Sequence, residues 1–269
     1  MNRVELGTIA AEFPPILEAK NPRNSEGAFL MLQDGRIIFV YGRFKGESWA
    51  DHAPADICLV TSEDGGRSFG NGRIVLTCEE EKAVNIMSLS LMKMSNGDIG
   101  LFYLVRVTYT LMQLYLRRSS DGGQTWSERV LCTPQEGFFV VNNDRVTRLS
   151  DGRILIPAAC HRTGDSFFDS RSEVVFFYSD DDGATWNCSE GFTGGRTPYV
   201  MAVSRDNGKS FSEPAAFETD ENSGYCYCAI LFTEEAMLLG YNAGGPEDGS
   251  CLARTRIRWI PLAQLEKIE

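Results

Sequence analysis

Histidine is nearly absent from this 269-residue chain, with two copies, and none of its eight cysteines forms a C-x-x-C pair. That combination lacks the usual ligand spacings of a zinc site. Positive charge is also scarce: 26 lysines and arginines face 37 aspartates and glutamates, a formal net charge of −11. Such a balance lacks the basic face that nucleic acid requires, although a small anion needs only a local arginine cluster. No run of about 18 apolar residues occurs, so no helical membrane span is expected. Met1-Asn2-Arg3-Val4-Glu5 lacks the apolar stretch of a signal peptide. These absences predict a cytoplasmic protein with mostly free thiols and no cofactor, metal or membrane partner.

What the chain has in quantity is glycine, 26 residues, and a repeated octapeptide, S-x-D-x-G-x-[ST]-[WF]. The copies are Ser62 to Phe69, Ser119 to Trp126, Ser179 to Trp186 and Ser204 to Phe211. Each reads as a hairpin turn. The aspartate accepts backbone N–H groups, the glycine supplies a positive φ, and the aromatic packs back on the sheet. A second turn element precedes the first three copies: Asp34-Gly35-Arg36-Ile37, Asn96-Gly97-Asp98-Ile99 and Asp151-Gly152-Arg153-Ile154. Each unit therefore reads strand, turn, strand, longer connection, strand, box, strand. Ala28–Leu32, Ile37–Tyr41 and Asp56–Val60 are the first three strands of unit one. Four antiparallel strands recurring about every 60 residues predict an all-β propeller of four-stranded blades.

The repeat then breaks. The box aspartates, Asp64, Asp121, Asp181 and Asp206, are 57, 60 and only 25 residues apart. No turn of Asp-Gly type lies about 30 residues upstream of the fourth box, where the pattern requires one. The spacing predicts three full blades, a half blade over about 196–216, and a weaker final unit. That last unit comprises Tyr227–Phe232, Met237–Tyr241 and Leu252–Trp259, and the N-terminal strand would complete it. One domain over 1–269 with a stretch missing near 194–196 is expected. A ring so interrupted leaves open sheet edges and a core seam, which predicts a homo-oligomer or poor solubility.

Arg23-Asn24-Ser25-Glu26-Gly27, Tyr41-Gly42-Arg43-Phe44, Asp51 to Ile57, Asn142-Asn143-Asp144-Arg145 and Gly224-Tyr225-Cys226-Tyr227, together with the boxes, resemble the sialidase (neuraminidase) superfamily of BNR/Asp-box proteins. The resemblance implies six blades around a shallow central pocket. It also implies three arginines gripping a substrate carboxylate, a loop aspartate as general acid/base, and a tyrosine nucleophile activated by a glutamate. On that pattern Arg23 matches the first arginine of the triad and Arg196 the third. Asp51 matches the acid/base, with Arg43 beside it. Tyr227 matches the nucleophile, or Tyr225 if the register is shifted. Asp144 and Arg145 stand as secondary ligands, and His52 and His161 follow strand ends from which they could touch substrate.

The same residues have plainer readings: an arginine at a blade top can be a surface ion-pairing residue, Asp51 a turn cap, and a strand tyrosine packing. The run Glu79-Glu80-Glu81-Lys82 reads as a solvated loop. The chain also departs from the family. The Glu-Pro strand that supplies the activating glutamate, and the next strand with the second arginine, are missing where Phe192-Thr193-Gly194-Gly195 runs into Arg196-Thr197-Pro198-Tyr199. Without its glutamate a tyrosine of ordinary pKa, about 10, is a poor nucleophile. Two functions follow from the resemblance: a retaining glycoside hydrolase acting on a terminal acidic sugar or glycoconjugate, or a non-catalytic carbohydrate-binding propeller.

Overall fold

The structure is a computed structural model that describes residues 8–164, 167–189, 192–194, 197–249 and 253–268; the side chains of 170, 171, 192–194, 226, 227 and 229 lie outside the description. The chain divides into two compact units, Met1–Asp169 with Val175–Cys188, and Ser170–Val174 with Ser189–Glu269.

In the first unit, β1 (Asn24–Met31), β2 (Ile37–Phe44), β3 (Ala55–Ser62) and β4 (Arg73–Leu76) form an antiparallel sheet in that order. β5 (Asn85–Lys93), β6 (Ile99–Arg106), β7 (Met112–Ser119) and β8 (Val130–Leu131) repeat the arrangement. The third repeat comprises β9 (Phe138–Val140), β10 (Thr147–Arg148), β11 (Ile154–Gly164), β12 (Phe167–Ser179) and β13 (Asn187–Cys188). A single parallel bridge, Met112 to Phe138, joins it to the second, so the two make one larger sheet.

The second unit holds β14 (Phe192–Gly194), paired with Ser172–Val174 of β12, and a two-stranded ribbon of β15 (Tyr199–Met201) and β16 (Ala215–Glu218). It ends in a three-stranded sheet of β17 (Gly224–Phe232), β18 (Ala236–Gly244) and β19 (Thr255–Pro261). The expected half repeat is the ribbon, and the weaker final unit is the three-stranded sheet. No helix among the described residues is long and apolar enough to cross a membrane.

Local chemistry explains the regularity. Gly35, Gly97 and Gly152 sit at φ of 86°, 93° and 93°, a region open to glycine. Each donates its N–H to the carbonyl three residues back, at 3.1, 3.0 and 3.0 Å. In the first box Asp64 Oδ1 accepts the N–H groups of Arg67 and Ser68 at 2.9 Å, and Ser68 Oγ donates to Oδ2 at 2.6 Å. Asp121, Asp181 and Asp206 accept from Thr125, Thr185 and Ser210 in the same way. These bonds hold all four carboxyls well below the usual aspartate range.

The boxes also fasten neighbouring repeats. Arg73 of the first sheet donates to the Gly123 carbonyl of the second box, and Arg118 of the second donates to the Asp182 carbonyl of the third. Asp182 further accepts from Arg148 Nη2 at 2.6 Å and Ser95 Oγ at 2.9 Å.

β6 reads IGLFYLVR, an uninterrupted apolar run, because it is buried on both faces. Leu101, Tyr103 and Val105 face the first sheet's Ile38, Val40, Ile57 and Leu59. Phe102 and Leu104 face the third repeat's Ile154, Ile156 and Phe177. Tyr225, Met237, Leu239, Tyr241 and Ala243 form the core of the second unit.

Glu81 corrects the expectation of a solvated acidic loop. Its side chain is 0% exposed and accepts from Arg117 Nη2 at 2.7 Å, Arg129 Nη1 at 2.5 Å and Tyr103 OH at 3.0 Å. Two arginines and a phenol supply the charge and donors that make burial of this carboxylate tolerable. Burial, then the Glu81 charge, push the Tyr103 phenol well above its ordinary range.

Candidate functional site

The most built-up polar cluster of the first unit lies where β1 and β5 deform. Pairing of β1 with β2 slips between Ser25 and Gly27, and pairing of β5 with β6 slips between Met87 and Ser90. These are β-bulges, which re-aim a side chain at the expense of a ladder bond. Glu26 and Ser88, the residues at the slips, have φ of 59° and 55°, as does Asp144 at 55° ahead of β10. Non-glycine residues in that region are uncommon and held by their surroundings.

The three deformations interlock. Glu26 Oε2 accepts the Ser88 N–H at 2.9 Å, Asp144 N–H donates to the Leu89 carbonyl at 2.7 Å, and Asn143 Nδ2 reaches the Gly27 carbonyl at 3.4 Å. Arg145 and Val146 N–H groups share Ser90 Oγ at 3.1 and 3.4 Å.

Arg23, just before β1, is anchored into this frame. Its guanidinium lies 4.3 Å over the Phe44 ring and donates to Ser25 Oγ at 2.7 Å and Asp51 Oδ1 at 2.6 Å. Glu26 Oε1 is a further partner at 3.4 Å. The Arg23 side chain is 24% exposed and Asp51 70%, so the pair is a fixed cation under a solvent-facing carboxylate. The loop carrying Asp51 is tied down by fully buried Asn85, whose Nδ2 donates to the Ala53 carbonyl.

The expected residues fall in different places. Arg23 and Asp51 are brought together. His52 adjoins them, its ring 6.4 Å from that of Tyr109. Arg43 does not join them: strand alternation puts it on the face of β2 that carries Tyr41, whose cross-strand partner on β3 is Cys58, and opposite Phe44; its charge acts on Tyr41 and Cys58. Asp144 and Arg145 are exposed and docked through their backbones. His161 Nδ1 is 3.0 Å from the Asp169 carbonyl oxygen, and its ring stacks 4.9 Å from Phe168.

In the second unit Tyr225 is 3% exposed and stacks on Tyr199 at 5.8 Å. The side chain of Tyr227 and the whole of Arg196 lie outside the described residues. The backbone at Tyr227 falls in a bulge of β17, between Cys226 and Ala229, like those at Glu26 and Ser88.

Two residues were missed in the sequence. Glu26 ties Arg23 to Ser88, and its one signal was its place in the Arg23 segment. Arg106 ends β6, its guanidinium 5.1 Å from the Phe138 ring centroid. A lone arginine after seven apolar residues was the available sign.

A tyrosine–glutamate pair does exist in the second unit. Tyr241 donates to Glu218 Oε1, which also accepts from Arg256 at 2.7 Å and Arg258 at 2.6 Å. It is a copy of the Glu81 cluster. Leu101 pairs with Arg117 two residues before Tyr103, and Leu239 pairs with Arg258 two residues before Tyr241. Arg117 Nε is 2.9 Å from Tyr103 OH, and Arg258 Nε 3.1 Å from Tyr241 OH. Burial pushes the Glu218 carboxyl up, but the bonds from Arg256, Tyr241 and Arg258 outweigh it and hold it at about 2. Burial, with Glu218 beside it, raises the Tyr241 phenol above its ordinary value, so this pair does not acidify the phenol. It is a structural fastener of the repeat.

Among the described residues one acidic and thiol group is close enough to hold a cation: Asp56, Cys78 and Glu79. Lys45 Nζ already sits there, 2.8 Å from Asp56 Oδ1 and 2.6 Å from Glu79 Oε2.

Against known proteins, residues 73–193 match the BNR repeat-like domain, and no curated protein matches the chain. Among solved structures the Hadza microbial sialidase Hz136 superposes with a TM-score of 0.58 at 17% identity, covering 83% of this chain and 54% of its own. A Trypanosoma rangeli sialidase in complex with sialic acid gives 0.52 at 15%, covering 81% and 43%. The intramolecular trans-sialidase of Ruminococcus gnavus gives 0.54 at 13%, covering 90% and 84%. The class is thus an all-β protein, residues 73–193 of which are similar to the BNR repeat-like domain. More particularly, its fold is sialidase-like, and the chain spans about half the length of the first two proteins.

Proposed function

We propose that this protein recognises a terminal acidic sugar on a sialidase-like scaffold, one domain over 1–269 lacking a stretch of propeller near 194–196. The observation that carries the reading is the Arg23–Asp51 pair. Arg23 is rigidly held by Phe44, Ser25 and Glu26, so a carboxylate can dock on it with little ordering cost. Asp51 sits above it, solvent-facing. An incoming carboxylate competes with Asp51 for Arg23 and releases it to act on the leaving oxygen.

In the hydrolytic form of this reading Asp51, protonated from solvent, gives its proton to that oxygen as the glycosidic bond breaks; the resemblance gives Tyr227 the bond to the anomeric carbon, its phenol proton passing to water, and water then cleaves the tyrosyl–sugar bond, with retention. A phenol is neutral until deprotonated, so it is not repelled by the sugar's carboxylate. The test is a fluorogenic sialoside assay on wild type and Asp51→Asn, with calorimetry against free sialic acid. Turnover abolished by Asp51→Asn is the expected result. Saturable binding without turnover favours the non-catalytic carbohydrate-binding form. Turnover that Asp51→Asn leaves unchanged, or neither binding nor turnover, sinks the assignment.

A further inference from the structure

Among the described residues of the first unit, Arg106 is a charged group with a buried, unpartnered nitrogen. It ends β6 opposite Asn85, the residue that pins the Asp51 loop through the Ala53 carbonyl. Its backbone is fixed by Val84, whose N–H donates to the Arg106 carbonyl at 2.8 Å. Its Nε is buried without a hydrogen-bond partner. No carboxylate lies within ion-pair distance of its guanidinium among the described residues, and that group rests against the Phe138 ring. Arginines elsewhere in this unit, Arg117, Arg118, Arg148 and Arg153, are each paired with an acid.

A half-buried guanidinium without a hydrogen-bond partner loses hydration that a ring contact replaces only in part. Burial accordingly lowers its pKa, an effect that the charges of Asp51 and Tyr109 oppose. Its pairing with Asn85, which holds the Ala53 carbonyl of the Asp51 loop, places Arg106 beside the Arg23–Asp51 pair. The Oδ1 of Asn85, its cross-strand neighbour, is likewise buried and unpartnered. A bound group carrying both an anion and a donor, such as a carboxylate beside a hydroxyl, satisfies both. A water bridging the two would satisfy them with no ligand at all.

We propose that Arg106 is a second cation of the anion site begun by Arg23, receiving a ligand carboxylate from the β6 side while Asn85 accepts a neighbouring hydroxyl. The sugar identity rests on the acidic-sugar reading; the carboxylate chemistry does not. The site thereby regains, from a different strand, a cation that the interrupted repeat had removed.

The experiment uses the full chain as wild type, Arg106→Gln and Arg106→Lys. Free sialic acid and its neutral methyl ester are titrated by calorimetry, and acetate is titrated against the Arg106 Nε–H resonance, assigned by its loss in Arg106→Gln. Arg106→Gln should weaken sialic acid binding by about tenfold to hundredfold and leave the ester unaffected, with Arg106→Lys between. Its melting temperature should hold or rise, because the unpartnered group is gone. A merely structural arginine would give the opposite: lower stability and unchanged selectivity for the acid.

Unchanged sialic acid affinity in Arg106→Gln overturns the proposal while the acidic-sugar reading stands. An Nε–H signal that neither acetate nor sialic acid moves overturns it in favour of a bridging water. A signal that acetate moves, in a chain that binds no sialic acid, keeps the carboxylate site and removes the sugar.

Discussion

Glu81→Gln is the sharpest test of how the repeats are bolted together. The carboxylate is 0% exposed and serves two arginines and one tyrosine. Glutamine keeps the shape but turns one acceptor oxygen into a donor facing a guanidinium. Either Arg117 or Arg129 then stays partly buried without its counter-charge. Breaking one side of a buried pair costs about 3–5 kcal/mol, a large share of the roughly 5–15 kcal/mol that holds a domain folded.

With a urea m-value of roughly 3 kcal/mol/M, the midpoint should drop by about 1 M or more. Urea unfolding followed by circular dichroism measures it. Glu218→Gln, at a site 9% exposed, should show the same effect in smaller size and leave sugar binding by the folded fraction unchanged. A Glu81→Gln midpoint within about 0.2 M of wild type, at unchanged m, refutes the reasoning. So does a Glu218→Gln protein of normal stability that has lost binding, since that outcome makes the second cluster chemical.

Acid should unfold the protein earlier than its composition suggests. Glu218 is held at about 2 against an ordinary 4.5, and Asp181 at about 2 against 3.8, with Asp64, Asp121 and Asp206 also depressed. Depressed carboxylates contribute stability that is fully present above their unfolded values and lost as pH falls through the folded ones. Unfolding free energy measured in urea should therefore be flat above about pH 5 and fall steeply toward about pH 2; a flat profile through that window would contradict the box geometry. In the second unit Ile230, Phe232, Ile257 and Trp259 are 60%, 61%, 74% and 58% exposed, so self-association is expected. Sedimentation velocity should show it, reduced in Trp259→Lys; a monodisperse wild-type monomer at all concentrations would count against it.

Much of the architecture was legible because its rules are local. A box needs only Ser, Asp, Gly and a hydroxyl at fixed offsets, and all four boxes fold into the same hydrogen-bonded turn. The Asp-Gly and Asn-Gly turns likewise follow from one residue's freedom at positive φ. The short interval before Asp206 announced the two-stranded ribbon of β15 and β16. Arg23 and Asp51 were identifiable from their segments, and the fold brings them to 2.6 Å.

The rest depended on long-range packing. Alternation along β2, read against Phe44 and Tyr41, decides that Arg43 faces away from Asp51, a parity the motif did not reveal. Glu81 looked solvated because its partners, Arg117 and Arg129, lie 36 and 48 residues away. The bulges that set Glu26, Ser88 and Asp144 into one frame, and the burial that leaves Arg106 Nε without a hydrogen-bond partner, exist only once three repeats meet. The sequence by itself determined the turns, the strand repeat and where the repeat is cut, because each is written within a few consecutive residues. Tertiary structure alone decided which charges are paired and which is left open, because burial and pairing are properties of neighbours in space.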